Sequence, residues 1–103
     1  MKRFRVVVTH RAERQIARAL TWWHENRTAA PMLLIDEVTE ALEQLATAPR
    51  AGLPYAYRGR APNVRRVLLP RARFHVYYTV DETAGIVTVR VLWHASRGRG
   101  PAL

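Results

Sequence analysis

Arg73, His75 and Tyr77 alternate along one short stretch, and Arg90, His94 and Arg97 follow toward the end of the chain. These side chains can move protons and hold anions. An imidazole titrates near neutrality and serves as base or acid, and a phenol can donate a proton. A guanidinium stabilises a phosphorane but stays protonated, so it is no ordinary base. Cutting RNA through its 2′-hydroxyl needs a base, an acid and a cation together. On that chemistry the proton-transfer candidates are His75, Tyr77 and His94. The bland alternative is that histidines on a half-exposed strand pack or hydrogen-bond, while Arg73, Tyr77, Arg90, His94 and Arg97 bind a target without turnover. The residues alone leave both open.

Other chemistries find little support. There are no cysteines, which excludes disulfides and thiolate metal sites. His10 and His24 fall near opposite ends of one helical stretch, too far apart for a metal, and no Gly-rich phosphate loop or nucleophile elbow is present. The expectation is no metal and no cofactor.

The elements that must position these groups follow from periodicity. Residues 64–69, 73–80 and 86–94 read as three consecutive strands, with turns at 70–72 and 81–85. In the second, Phe74, Val76, Tyr78 and Val80 face one way and Arg73, His75, Tyr77 and Thr79 the other. In the third, the same alternation sets Val87, Val89, Val91 and Trp93 against Thr88, Arg90, Leu92 and His94. Residues 3–9 give a first strand with Phe4, Val6 and Val8 on one face, and Thr9 is placed to cap the helix that follows. From 10 to about 26 the apolar stripe is Ala12, Ile16, Leu20 and Trp23. A second helix runs from Pro31 in its first turn to about Thr47, with Ile35, Val38, Leu42 and Leu45 inward and Asp36, Glu37, Glu40 and Glu43 on the wet side. The acidic side is a solvated surface or a seat for arginines of a neighbouring element. Residues 49–63 are a long aperiodic loop in which Tyr55, Tyr57, Arg58 and Arg60 interleave rings and cations. That loop either binds a polyanion or is pinned to the body by its tyrosines. The fold class is α+β: a strand, an antiparallel helix hairpin packed on one face of the sheet, and a three-stranded antiparallel meander.

The 103 residues suit one domain spanning 1–103. A net charge of +9 rests almost wholly on arginine, sixteen of the seventeen basic residues. Residues 49–103 hold ten arginines against Asp81 and Glu82 only, so the excess lies in the C-terminal half and calls for a polyanion or an acidic protein. No apolar run is long enough to span a bilayer and the first residues lack a signal-peptide pattern, so no membrane is expected and a cytoplasmic location is.

Four stretches in this order resemble the RelE/ParE superfamily of toxins from type II toxin–antitoxin modules. Residues 9–16 (Thr-His-Arg-Ala-Glu-Arg-Gln-Ile) look like the family's entry into its first helix. Residues 42–52, with Pro49 and Gly52, look like the exit from its second; residues 64–81 look like its central strands, and 89–97 like its closing strand. The ParE branch is the better likeness: residues 49–103 contain no lysine, no tyrosine follows Tyr78, and His94-Ala-Ser-Arg97 is similar to a ParE-like ending. The resemblance implies a growth-inhibiting, plasmid-stabilisation type of toxin that acts on DNA gyrase and is neutralised by a cognate acidic antitoxin in a hetero-oligomer. A RelE-like relative would instead cut mRNA on the ribosome. A non-toxic, basic nucleic-acid-binding module is the third reading, supported by charge alone.

Overall fold

Thr9 starts the first helix as its residue type foretells: its side-chain oxygen accepts from Ala12 N–H at 3.1 Å. In the computed structural model, which describes residues 2–56 and 63–103, that helix is α1 (His10–Asn26) and follows β1 (Arg5–Val8). Then come α2 (Leu33–Thr47), β2 (Leu53–Pro54), β3 (Val64–Leu69), β4 (Phe74–Asp81) and β5 (Ile86–His94). The strands form one sheet in the order β1-β5-β4-β3-β2. β1 runs parallel to β5, and the other neighbours pair antiparallel. The α+β arrangement expected from the sequence is the one observed, with β1 and the two-residue β2 added at the edges of the meander. No helix among the described residues is long and apolar enough to cross a membrane.

The helix hairpin packs on one face of the sheet. Ala12, Ile16, Leu20 and Trp23 of α1 meet Leu34, Val38, Leu42 and Leu45 of α2 over Val76, Tyr78, Val87 and Val89. Trp23 Nε1 also donates to Ala30 O at 2.8 Å, which ties the connection between the helices to α1. α2 departs from expectation at its start. Pro31 lies in a turn ahead of the helix, the cap is Met32 without a side-chain hydrogen bond, and Leu34 rather than Ile35 is fully buried. Glu37 does engage the neighbouring element, through backbone rather than arginine: its carboxylate accepts from Arg71 N–H at 3.2 Å and Ala72 N–H at 2.7 Å, holding the β3–β4 turn.

β5 corrects the simple alternation. Tyr77 pairs with Val91 and Tyr78 with Val89, leaving Arg90 as an extra residue in a β-bulge. Beyond it the strand's phase reverses. Leu92 joins the helix-side core, whereas Val91 and Trp93 face the other way. β1 ends beside this point, and the start of α1 takes over the exposed edge. Thr9 Oγ1 donates to Arg90 O at 3.3 Å, and Gln15 Oε1 accepts from Leu92 N–H at 2.9 Å.

The second face of the sheet is not open. Val64, Tyr77 and Val91 form a small buried cluster there, with Tyr55 and Trp93 packed against it. Tyr55 meets Tyr77 edge-on at 4.9 Å, so the tyrosine pins its loop to the body; Tyr57, Arg58 and Arg60 lie outside the described residues. The C-terminal tail returns past the cluster. Trp93 Nε1 donates to Arg99 O, Arg11 to Ala102 O, and Pro101 is fully buried. Gly100 lies so close to Tyr55 Oη that any β-carbon would overlap it. Gly52 is equally constrained on the helix side: its N–H donates to Tyr78 Oη at 2.9 Å, and a β-carbon would fall 2.8 Å from Arg66 O.

Candidate functional site

α1 and the end of the sheet enclose an open groove in which arginines from three elements converge. Arg18 comes from α1 and Arg27 caps its C-terminus, Arg71 and Arg73 come from the β3–β4 turn, and Arg97 from the tail. No carboxylate lines the groove, and none of these guanidiniums is ion-paired among the described residues. The floor is apolar, from Ala19, Trp23, Ala72, Phe74 and Leu92. Two cation–aromatic pairs stand at its rim. Arg27 lies 4.8 Å from the Trp22 ring centre and Arg97 4.0 Å from that of Trp93. Trp22 is 47% exposed, a large indole left in water.

Local backbone fixes several of these groups. Arg73 is not in β4 but closes the turn before it, with φ of 67°, a left-handed conformation unfavourable for a non-glycine residue. Its N–H donates to Leu69 O and its carbonyl accepts from Ala95 N–H, so the turn and the tail are joined through it. His94 faces the same groove because of the Arg90 bulge, and its ring meets Phe74 edge-on at 4.9 Å. Ser96 N–H donates to His94 Nδ1 at 3.1 Å, so the neutral ring carries its proton on Nε2.

The proton-transfer trio is therefore divided between the two faces. His75 and Tyr77 share the second face, ring centres 6.1 Å apart, and His94 lies across the sheet from them. Tyr77 is 1% exposed, and its hydroxyl accepts from Arg66 at 3.1 Å. Burial first, then the charges of Arg66 and Arg73, push the His75 pKa below its ordinary value of 6.5 and so favour the neutral imidazole. Arg90 projects onto the second face too, donating to Thr79 Oγ1 at 3.0 Å. Of the five residues assigned to target binding from sequence, Arg73, His94 and Arg97 come together; Tyr77 and Arg90 do not join them. Sequence reasoning missed Arg18, Arg27, Arg71 and Trp22. The first two and Trp22 could have been found from their spacing, since positions 18 and 22 are one helical turn apart and 27 follows at the helix end. Among the described residues no cluster of His, Asp or Glu could hold a metal.

Residues 6–98 match the family model for the ParE toxin of the type II toxin–antitoxin system parDE. The chain belongs to the ParE toxin family. It is thus the toxin component of a type II toxin–antitoxin system. The same fold is found again among solved structures. A chain of the chromosomal ParDE toxin–antitoxin system from P. aeruginosa superposes with a TM-score of 0.71 at 13% identity, over 90% of this chain and 97% of that one. A chain of the RelBE2 toxin–antitoxin complex from Mycobacterium tuberculosis gives 0.62 at 20% identity, over 89% and 98%. No curated protein matches the sequence. Family membership identifies this ParE-family chain as a toxin.

Proposed function

We propose that this toxin inhibits growth by poisoning DNA gyrase as a binding protein, acting in the cytoplasm as one domain, and that a cognate acidic antitoxin neutralises it in a hetero-oligomer. The working surface on this reading is the arginine groove, with Arg73, His94 and Arg97 as its sequence-assigned members. The ParE family match over residues 6–98 carries the proposal. The division of His75 and Tyr77 from His94 supports it, because a binding poison needs no assembled acid and base. An acidic antitoxin segment suits a groove that offers arginine at its rim and apolar floor beneath.

One observation favours a RelE-like nuclease as the second reading. His75, Tyr77 and Arg66 gather on the second face, with the two rings 6.1 Å apart and Arg66 donating to Tyr77; burial there favours the neutral imidazole, the form that accepts a proton. A single induced culture separates the two. The gyrase reading expects growth arrest with gyrase-linked DNA breaks and intact messages. Messages cut on ribosomes, with DNA intact, would replace it by the nuclease. Growth at the uninduced rate, with the soluble protein confirmed, would defeat both and leave a non-toxic nucleic-acid-binding module. Co-expression of the adjacent reading frame should restore growth if that frame encodes the antitoxin.

A further inference from the structure

We propose that the groove between α1 and the β3–β4 turn is a binding site for single-stranded nucleic acid, with phosphates held by Arg18, Arg71, Arg73 and Arg97 and a base stacked at Trp22. The inference rests on reading the groove as the toxin's working surface, and adds that the toxin grips nucleic acid itself.

Three features point to this ligand. The cations come from three separate elements and meet around one groove, with no carboxylate among the lining residues to neutralise them. An unbranched polyanion crossing the groove can satisfy several at once, each phosphate releasing counterions as it docks. The second feature is the kind of apolar surface on offer. Much of it is flat and aromatic: Trp22 at the rim, Phe74 and His94 further in, and Trp93 at the margin, its ring packed toward the second face. Trp22 and Trp93 each already carry a guanidinium against the ring. Rings with cations beside them suit bases, which stack without regard to sequence. Here the aliphatic share is Ala19, Ala72 and Leu92 only. The third feature is Trp22 itself. At 47% exposure it is among the largest apolar side chains left in water, and it stands between Arg18 on the same helix and Arg27 at that helix's C-cap. A strand with unpaired bases can cover it; a duplex, its bases stacked inside, cannot.

The site can be tested with the purified full-length toxin and two labelled probes, a dodecamer of deoxythymidine and one of uridine, by fluorescence anisotropy across a salt series. We expect binding that weakens steeply with salt and is accompanied by quenching of tryptophan fluorescence. Removing two phosphate contacts in R71A/R73A should lower the log–log salt slope by about 1.4, at about 0.7 per contact for single strands. Trp22→Ala should weaken binding by roughly tenfold, within the range for one stacked base. Arg14→Ala, which removes a charge from the same helix at a position that does not line the groove, should change affinity less than twofold. Circular dichroism confirms that each variant is folded, and the exposed arginine pair keeps the test alive if Trp22→Ala is not. Tighter binding of one probe assigns the ligand as DNA or RNA.

Three results would overturn the site: no binding of either probe at low salt, equal losses in Arg14→Ala and R71A/R73A, or groove occupancy only by an acidic Glu/Leu-rich helical peptide. Gyrase-linked growth arrest alongside any of these would leave the gyrase reading standing and remove the nucleic-acid site alone.

Discussion

Arg73 is the residue where structure and function pull apart. It adopts φ of 67° at the mouth of the groove, where a β-carbon costs on the order of 1 kcal/mol and glycine pays nothing. Arg73→Gly therefore relieves the backbone while deleting the guanidinium. We expect its urea-denaturation stability to stay within about 1 kcal/mol of wild type, since glycine also loosens the unfolded chain. Growth arrest, in contrast, should be lost. A folded Arg73→Gly protein that still arrests growth fully would take Arg73 out of the site. His75 offers a second test at this scale. Its pKa lies below 6.5 in the fold, by burial first and then by Arg66 and Arg73, so the unfolded chain binds the proton more readily. The sign follows: stability is intact above about pH 6.5 and declines as pH falls toward the folded value. His75→Asn should lose that part of the decline. Urea midpoints of the two proteins, compared from pH 7 to pH 5, should shift progressively in the variant's favour. A constant difference over that range would mean that His75 is not held neutral.

At the scale of elements, legibility tracked how regular each segment is. α1 was readable to both ends because Thr9 caps it and its stripe of Ala12, Ile16, Leu20 and Trp23 never breaks period. The β3 and β5 limits were equally plain, fenced by Pro70 and by the Asp81–Gly85 turn. The phase of β5 was hidden, because Val91, Leu92 and Trp93 are all apolar and either face accepts them. Only the partner strand shows that Arg90 is supernumerary. β2 spans two residues and the tail has no period, so pattern revealed neither that edge strand nor the tail's return past Tyr55 on the second face. The candidate site suffered accordingly: His94 moved from one face to the other with the bulge, and Trp22 and Arg27 went unnoticed beside the α1 stripe. The bulge makes a specific prediction. Deleting Arg90 brings Val89 and Val91 next to each other opposite Tyr78 and Tyr77, a regular ladder with every remaining side chain on its present face. Deleting Leu92 instead turns Trp93 and His94 over and removes a core side chain. The Arg90 deletion should fold with a modest loss in melting temperature, and the Leu92 deletion should fail to fold. Equal damage from both would mean that the bulge itself, and not merely strand phase, is needed.

For the whole molecule the governing quantity is charge. A net +9 is carried on a body whose Cα radius of gyration is 13.5 Å. The Debye length is about 10 Å at 0.1 M salt and about 3 Å at 1 M, so like charges repel across much of the fold at the lower concentration and hardly at all at the higher. The groove arginines feel this most, having no carboxylate among them. Compact folding gathers that repulsion, whereas the unfolded chain spreads it out. Sodium chloride should therefore raise the melting temperature of the free toxin between 0.1 and 1 M. The complex with an acidic antitoxin should respond in the opposite sense, because the same salt screens an attraction that stabilises the folded toxin by mass action. Scanning calorimetry of the toxin alone and of the complex, at both salt concentrations, reads the two slopes directly. Opposite signs are the expected result. A free toxin whose melting temperature is flat or falls with salt would show that the arginines do not strain the fold. A complex that gains stability with salt would show that apolar contact, rather than charge, dominates the antitoxin's grip.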